Sequence, residues 1–383
     1  MTFSRKKIQV AFSVTNCICH DQRVLKIAQT VSNLNCDLII IGRKIGDCCN
    51  SGDVPFRTRR FRMIFRQGFL FYMFFNIRLF IYLLFLKSDL LVSNDLDTLL
   101  PNYLISRIKK IPLIYDSHEY FTGVPEIQNR AVVKYVWKSI ESKIFPRLTN
   151  IITVSDLIAQ QYEEEYGKKP VTILNCSPSS VHILPFTKQE LGAGKGQLVV
   201  ILQGTGINAD RGGEELIEAI FKTDNVKLLV VGSGKSVSSM KQKAVEYCLS
   251  ERVSFFGTVP WEKMMRYTKA ADVGMSLDKN TNLNHKFSLP NKLFDYISAG
   301  IAVVASDLPQ VRKIVTESGS GVVLDEVTPD NISYILKKLD KDRISLREFK
   351  KNAILASGDL NWERESQKVK TFYEQVLKNN RLI

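Results

Sequence analysis

The chain has 383 residues, 45% of them hydrophobic and 24% charged, and at about 100–200 residues per domain it predicts two domains or one unusually large one. This composition excludes a disordered, collagen-like or coiled-coil chain, and a chain of this length buries enough surface to fold without a disulfide or a metal. The formal net charge of +14 favours an anionic partner, whether a nucleotide, a phospholipid surface or a nucleic acid.

The first half of the chain alternates short β-rich runs with helical segments. Its first residues pass from a basic patch straight into a strand, without the apolar core and cleavage site of a signal peptide, and we expect none. Six strands are predicted, at residues 8–14, 36–42, 89–94, 111–117, 150–155 and 171–175. Nearly continuous apolar strands separated by helices are typical of a parallel sheet covered on both faces.

One helical segment, residues 68–87, is apolar for nearly the length of a membrane span and follows four arginines between positions 59 and 66. Arg78 and Asn76 within it make insertion into a bilayer marginal. Since the segment lies between two strands of one predicted sheet, spanning would split that domain. We therefore expect a buried or interfacial helix rather than a transmembrane one.

A second set of β-rich runs follows a stretch rich in Pro, Ser and Gly at 176–196. These runs are residues 197–204, 227–232, 253–257, 272–277, 301–306 and 321–325. Two such sets predict an α/β protein of two doubly wound domains, residues 1–180 and 190–361, with a ligand cleft between them at the carboxyl ends of the strands. We expect a last helix, at about 362–383, to pack back toward the first domain.

The most informative segment is SLPNKLFDYISAGIAVVASDLPQVRKIV, residues 288–315. It predicts a loop, a helix that ends at Gly300 and a buried strand. Lys292 and Asp295 lie on one face of that helix near its N-terminus. The helix dipole and the lysine charge can hold a diphosphate there, and the carboxylate suits ribose hydroxyls. A solvated Lys–Asp pair at the helix start is the alternative.

This segment resembles the nucleotide-sugar-binding signature of glycosyltransferase family 4, whose members have two facing Rossmann-like domains, the GT-B fold. Other segments are similar to the family in the family's own order, and they span almost the whole chain. Near the end of the first domain the similar segment is IITVSDLIAQ (151–160). In the second domain they are QGTGINADRGGEELIEAI (203–220), KLLVVGSG (227–234) and VSFFGTVPWEKMMRYTKAADVGMSL (253–277). In the first domain HDQRVLKIA (20–28), SNDLDTLLP (93–101) and YDSHEYF (115–121) resemble a bacterial subset that makes surface polysaccharides.

The resemblance implies an enzyme that moves a sugar from a nucleoside-diphosphate sugar to an acceptor hydroxyl with retention of configuration. Arg211 and Lys292 would hold the diphosphate, and His118 would face the transferred sugar or the acceptor. The residues that the resemblance implies for catalysis are His118, Arg211 and Lys292. Those that it implies for binding the sugar donor are Gly204, Gly206, Arg211, Ser288, Lys292 and Asp295. A hydrogen-bonded structural histidine is the alternative for His118.

The sequence departs from the family at one important position. Asp295 takes the place of the second glutamate of the family's Glu-x7-Glu motif and would hold the ribose. Phe287 stands where the first glutamate would be. We expect Ser288 or the loop backbone to replace that glutamate's contact with the sugar.

Two further motifs suggest a cofactor or a metal, and we interpret both otherwise. GTGINA (204–209) mimics a dinucleotide-binding loop, but the next strand ends in Gly232-Ser233-Gly234 without the acidic residue that NAD binding needs. Asp95-x-Asp97 resembles a metal-binding pair, but no second acidic or histidine cluster accompanies it, and we expect local capping. The sequence therefore predicts neither a cofactor nor a metal.

The predicted setting is polysaccharide or glycolipid synthesis in the cytoplasm, at the inner face of the plasma membrane. The acceptor would be a lipid-linked sugar or an oligosaccharide, and the basic first domain would make peripheral contact with an anionic membrane. Two alternatives stay open: a nucleotide-sugar epimerase of the same fold, and a non-catalytic basic protein that binds a membrane or a nucleic acid. Nucleic acid is not expected, because the basic residues are spread along the chain and do not cluster with aromatic ones.

Overall fold

Two parallel β-sheets, each in its own unit of the chain, form the framework of the protein. A computed structural model describes residues 7–45, 54–124, 127 and 130–383. The N-terminal unit consists of Met1–Leu174 together with Glu365–Ile383, and the C-terminal unit consists of Asn175–Arg364. The Pro/Ser/Gly-rich stretch at 176–196 thus lies in the C-terminal unit.

The described part of the N-terminal unit has a sheet of seven parallel strands in the order β3-β2-β1-β4-β5-β6-β7. This order is that of a doubly wound sheet, in which the chain adds strands outward from β1 on one side and then outward from β4 on the other. The strands are β1 (Ile8–Ser13), β2 (Cys36–Arg43), β3 (Arg57–Phe61), β4 (Leu90–Asn94), β5 (Leu113–Ser117), β6 (Asn150–Thr153) and β7 (Val171–Thr172). The helices are α1 (Gln22–Ser32), α2 (Gly68–Phe85), α3 (Leu99–Lys109), α4 (Ala131–Ile144) and α5 (Asp156–Tyr166), and the C-terminal α14 (Trp362–Asn379) belongs to this unit from Glu365 onward.

The long apolar helix α2 has two different faces. Phe71, Phe75, Leu79 and Leu83 recur every four residues and are buried, so one face of the helix packs on the unit. The exposed apolar residues of the helix are Phe69, Leu70, Phe74, Ile77, Ile81, Leu84 and Phe85. In the described ranges α2 is the one helix whose length and composition would let it cross a membrane, a test that core helices of soluble proteins also pass.

The C-terminal unit, which the structure describes without gaps, has six parallel strands in the order β10-β9-β8-β11-β12-β13. These are β8 (Leu198–Gly204), β9 (Val226–Gly232), β10 (Val253–Phe255), β11 (Val273–Ser276), β12 (Ala302–Ser306) and β13 (Gly321–Leu324). The helices are α6 (Gly213–Phe221), α7 (Val237–Glu246), α8 (Trp261–Ala270), α9 (Leu283–Phe287), α10 (Asn291–Ala299), α11 (Pro309–Ser318), α12 (Pro329–Lys341) and α13 (Arg343–Ser357). Leu, Val and Ile side chains of the strands and of α6 and α12 form its core.

Candidate functional site

Three charged side chains meet at the carboxyl ends of the strands of the C-terminal unit. Asp278 follows β11 and is completely buried, Arg211 lies just before α6, and Lys292 lies in the first turn of α10. An Arg211 Nη1 atom lies 3.0 Å from Asp278 Oδ2, and Lys292 Nζ lies 3.1 Å from Asp278 Oδ1. The structure therefore brings together the two cations that the sequence predicted for a diphosphate, and it adds a carboxylate that the sequence did not single out.

The charges of this cluster do not balance. Burial raises the pKa of Asp278, but the positive charges of Lys292 and Arg211 outweigh it and hold the pKa below its ordinary value. The carboxylate is therefore ionised, and two cations share one anion. The Arg211 side chain is 31% exposed and the Lys292 side chain 12%. One positive charge is left in excess, on side chains that solvent reaches, which suits the binding of an anion.

Backbone contacts hold the loops of the cluster together. Ser306 Oγ, at the end of β12, donates to the Asp278 carbonyl oxygen at 2.6 Å, and the Lys279 amide donates to the Asp210 carbonyl oxygen at 2.8 Å. A Cβ atom at Gly212 would lie 2.4 Å from Leu277 Cβ. Only glycine lets the loop that carries Arg211 approach the end of β11 so closely.

Of the two predicted glycines, Gly204 ends β8 and Gly206 lies in the loop after it, and the structure distinguishes them. The Ser233 amide donates to the Gly204 carbonyl oxygen at 3.0 Å, and a Cβ atom at Gly232 would lie 1.8 Å from that oxygen. The ends of β8 and β9 are thus packed backbone against backbone. A Cβ atom at Gly206, in contrast, meets no described atom within 4 Å, so packing within the unit does not require glycine there.

Asp295 lies at the centre of a hydrogen-bond network of its own. Its carboxylate accepts from Ser177 Oγ at 2.5 Å, from Trp261 Nε1 at 3.1 Å and from Gln203 Nε2 at 3.0 Å. These bonds join α10 to the Pro/Ser/Gly-rich stretch, to α8 and to β8. Asp295 therefore has a structural function that the sequence did not indicate, and its binding of a ribose stays a prediction.

Ser288 and His285 lie on the loop side of the same cluster. Ser288 is half-buried, and its hydroxyl donates to the His285 carbonyl oxygen at 3.0 Å. The His285 ring is buried, with Nδ1 3.1 Å from the Lys279 carbonyl oxygen. Burial and the nearby Arg211 charge lower the pKa of His285. The imidazole is therefore neutral near pH 7 and does not add to the positive charge of the cluster.

His118 lies in the N-terminal unit, directly after β5, and faces two carboxylates. Its Nδ1 is 3.5 Å from Asp95 Oδ2, its Nε2 is 3.3 Å from Asp116 Oδ2, and its amide donates to Asp95 Oδ1 at 2.8 Å. Burial lowers the pKa of His118, but the two carboxylates outweigh it and raise the pKa to about 10. Burial also raises the pKa of Asp95, so the ionised Asp116 is the firmer partner of the His118 ring. The raised pKa of His118 favours the imidazolium form over a proton acceptor.

Asp116 is held by a second cation. Arg23 Nε donates to both oxygens of Asp116 at 3.1 Å, Arg23 Nη2 donates to Oδ1 at 2.8 Å, and Nη1 donates to the Ile173 carbonyl oxygen at 2.8 Å. Burial raises the pKa of Asp116, but Arg23 and His118 lower it to about 2. Arg23, predicted only as part of a motif, thus anchors the carboxylate that faces His118.

The local capping predicted for the Asp95-x-Asp97 pair is not observed at Asp95. The Asp95 side chain does not cap the turn that follows it, because its carboxylate accepts the His118 amide. Asp97 accepts a hydrogen bond from Thr15 Oγ1. Across residues 7–45, 54–124 and 130–383 no group of three or more His, Cys, Asp or Glu side chains is arranged to hold a metal ion.

Residues 186–355 match the family model described as glycosyl transferases group 1. An uncharacterized glycosyltransferase of Methanocaldococcus jannaschii is 21% identical over 281 residues, which are 71% of this chain and 70% of that protein. The sucrose-phosphate synthase of Thermosynechococcus elongatus has a similar structure, with a TM-score of 0.77 at 16% identity, over 97% of this chain and 100% of that one. Anabaena HepE in complex with UDP and glucose has a TM-score of 0.76 at 15% identity, over 96% of this chain and 100% of that one.

These likenesses extend over nearly the whole chain and agree with its two doubly wound parallel sheets. The predicted fold class, two Rossmann-like domains of the GT-B type, is thereby confirmed. The segment that matches the family model contains Arg211, Asp278 and Lys292. The match of residues 186–355 to glycosyl transferases group 1, on a chain with the GT-B fold, supports a glycosyltransferase.

Proposed function

We propose that the protein transfers a sugar from a nucleoside-diphosphate sugar to an acceptor hydroxyl, and that Arg211 and Lys292 bind the diphosphate. The observation that carries this proposal is the pairing of both cations with the single buried carboxylate of Asp278, inside the segment that matches the family model. Asp278 holds the two side chains in position before any ligand arrives. The excess positive charge then serves the diphosphate.

Transfer of the sugar requires stabilisation of the leaving group, the nucleoside diphosphate. As the bond between the sugar and the diphosphate breaks, negative charge moves onto the β-phosphate. Cations that are already fixed in place stabilise this charge without reorganising during the reaction. Arg211 presents five N–H groups and Lys292 three, so each keeps donors for phosphate oxygens while it contacts Asp278. We propose that these two residues supply the charge that a metal supplies elsewhere, and that turnover needs no metal or cofactor.

The finer features of the reaction are part of the same proposal. UDP is the first nucleotide to test, because the similar structure of Anabaena HepE contains UDP and glucose. Retention of configuration, membership of glycosyltransferase family 4 and an acceptor in polysaccharide or glycolipid synthesis are what the resemblance of the sequence motifs implies, and we include them in the proposal. The acceptor is a lipid-linked sugar or an oligosaccharide. Gly204, Gly206 and Ser288 would line the sugar-donor site, and His118 would orient the sugar or acceptor as a cation that faces Asp95 and Asp116.

We further propose that the protein works in the cytoplasm and attaches peripherally to the anionic inner face of the plasma membrane. The exposed apolar side chains of α2 and the arginines that precede this helix support this proposal. A surface that combines apolar and basic side chains suits the interface of an anionic bilayer. High salt or alkaline carbonate should release such a protein from membranes. Retention after carbonate washing would contradict peripheral attachment.

Kinetics of Arg211→Met and Lys292→Met test the proposed function. Each change should lower kcat by about 10²–10³-fold, about 2.7–4 kcal/mol, because it removes charge stabilisation that is strongest in the transition state. The KM for the sugar donor should change less. Lys286→Met is the matched control, since Lys286 is exposed and forms no ion pair with a described residue. Near-normal kcat in folded Arg211→Met and Lys292→Met would refute the assignment.

A thermal-shift panel of nucleoside diphosphates identifies the nucleotide. A ligand at 100 times its dissociation constant should add about 2.7 kcal/mol of stability. The stabilising nucleotide is then offered as its sugar conjugates, with and without acceptors. Conversion of the nucleotide sugar with no consumption of acceptor would point to the epimerase alternative instead.

A further inference from the structure

A surface pocket of about 410 Å³ lies between the edge strand β3 and helix α2 of the N-terminal unit. Arg59 and Phe61 line it from β3, and Arg78, Ile81 and Phe85 line it from α2. The pocket therefore combines two guanidinium groups with an apolar wall. It lies in a different unit from Arg211 and Lys292, so the proposed sugar-donor site does not account for it.

The two arginines of the pocket are positioned by aromatic rings. The Arg59 guanidinium lies 5.5 Å from the centre of the Tyr82 ring, and the Arg78 guanidinium lies 5.0 Å from the centre of the Phe61 ring. Arg78 Nη1 also donates to the Arg62 carbonyl oxygen. In the described ranges neither arginine forms an ion pair with a carboxylate. Both keep N–H donors that could bind an anion.

A neighbouring arginine on the same strand shows the contrast. Arg57 Nη2 lies 2.8 Å from Asp37 Oδ2 and also donates to Gln9. The charge of Arg57 is thus neutralised within the unit. The charges of Arg59 and Arg78 are not neutralised by any described carboxylate, and they lie beside the pocket.

The apolar side of the pocket continues onto the exposed face of α2. Ile81 is 51% exposed and Phe85 is 80% exposed. Side chains of this size rarely stay so exposed next to one another without a partner. A ligand that satisfies both sides must carry an anion and an apolar chain together.

We propose that this pocket binds the phosphate group of a membrane phospholipid, with an acyl chain along Ile81 and Phe85. Arg59 and Arg78 bind the phosphate oxygens, since guanidinium groups match phosphate in geometry and charge. This inference rests on the proposed attachment to an anionic membrane and gives that attachment a defined site. A free phosphate would leave the apolar wall without a contact, and a purely apolar partner would leave the two cations without one.

The experiment compares two double variants of the full chain. Arg59→Gln/Arg78→Gln removes both cations of the pocket, and Arg62→Gln/Arg66→Gln removes the same charge from neighbouring arginines that do not line it. Binding to vesicles of phosphatidylcholine with and without phosphatidylglycerol is measured by co-sedimentation. The pocket variant should bind the anionic vesicles about 30-fold more weakly, because in this proposal Arg59 and Arg78 contact the lipid phosphate and each contributes the full value of about 1 kcal/mol. The control pair should lose clearly less.

A short-chain phosphatidylglycerol, used below its micelle concentration, tests the pocket without a membrane. It should bind saturably to the wild type and to the control variant, and at least about tenfold more weakly to the pocket variant. Ile81→Asn keeps both arginines and should also weaken the binding of this lipid. It therefore tests the apolar wall separately, in case the double arginine variant does not fold. Inorganic phosphate at the same concentration should bind equally to the wild type and to the pocket variant, because any phosphate held by Arg211 and Lys292 is unaffected by these substitutions.

The outcomes separate the two proposals. If wild-type protein ignores anionic vesicles, both the membrane attachment and the pocket are wrong. If it binds them and the two double variants lose affinity equally, the attachment stands and the pocket is wrong. Binding of inorganic phosphate that is as tight as that of the lipid and that the pocket variant loses would likewise overturn the lipid assignment. A self-association that buries α2 and excludes the lipid would also overturn it.

Discussion

Replacement of Arg23 by methionine tests whether the buried Arg23–Asp116 pair holds the N-terminal sheet together at β5. Less than one twentieth of either side chain is exposed, and three hydrogen bonds join the guanidinium to the carboxylate. Methionine keeps most of the apolar volume but leaves the carboxylate without its main partner. The guanidinium's hydrogen bond to the Ile173 carbonyl oxygen is lost as well.

The expected cost follows from the surroundings of Asp116. Removing one partner of a buried ion pair costs about 3–5 kcal/mol. The lower end applies here, since His118 still faces the carboxylate. The pKa of about 2, which Arg23 and His118 together produce against the effect of burial, has a similar order. Its difference from the ordinary 3.8 corresponds to about 2 kcal/mol near neutral pH. Because the folded-state pKa is lowered, this stability is present above about pH 4 and is lost as the pH falls through about 2.

Hydrogen exchange measured by mass spectrometry is the appropriate assay, because a chain of two units does not unfold in a single step. Peptides that cover β5 should lose about 3 kcal/mol of protection in Arg23→Met, while peptides of the C-terminal unit serve as the internal reference. Arg107→Met, an exposed arginine of the same unit, is the control. Arg23→Met/Asp116→Asn should recover part of the loss, because no charge is then left unpaired. Unchanged protection of β5 in Arg23→Met would refute the reasoning.

Three further predictions concern pH, backbone packing and metals. Because the pKa of His118 is raised in the folded state, its ionisation stabilises the N-terminal unit fully below about pH 6.5, and this stability is lost as the pH rises through about 10. His118→Gln should therefore lack the corresponding fall in Tm. An equally steep fall in the variant would assign the pH dependence to other groups. Gly232→Ala should prevent correct folding of the C-terminal unit, because its Cβ would lie 1.8 Å from the Gly204 carbonyl oxygen. Gly206→Ala should melt normally and raise the KM for the sugar donor. Normal melting of both variants would contradict the packing argument. Turnover should persist in excess EDTA, and activity that only magnesium or manganese restores would revive Asp95-x-Asp97 as a metal site.

The strands were predictable where they are apolar. All strands of the C-terminal unit and all but one of those described in the N-terminal unit overlap predicted runs, because buried parallel strands are nearly continuous in Val, Ile and Leu. β3, with the sequence RTRRF, was missed. It lies at the edge of the sheet, where charged side chains reach solvent and no apolar pattern is required.

The candidate site was predictable only for residues that belong to a local motif. Arg211 and Lys292 stand in segments that resemble a family, and the structure brings both onto Asp278. Asp278 was missed because no motif marks it, although an acidic residue at the carboxyl end of a buried strand was a usable signal. The network of Asp295 could not be predicted, since it depends on Ser177, which lies over 100 residues away in the sequence.

The margins of the two sheets have a consequence for the protein at high concentration. Unpaired backbone groups at a sheet edge can recruit a strand from another molecule and start aggregation. β7 has two residues, β10 three and β13 four, which offers little for a foreign strand to pair with. β3 is longer, with five residues, but three of them are arginines. Two copies that meet along β3 repel each other, so the sheets of neighbouring molecules are kept from pairing edge to edge even where the protein is concentrated on a surface.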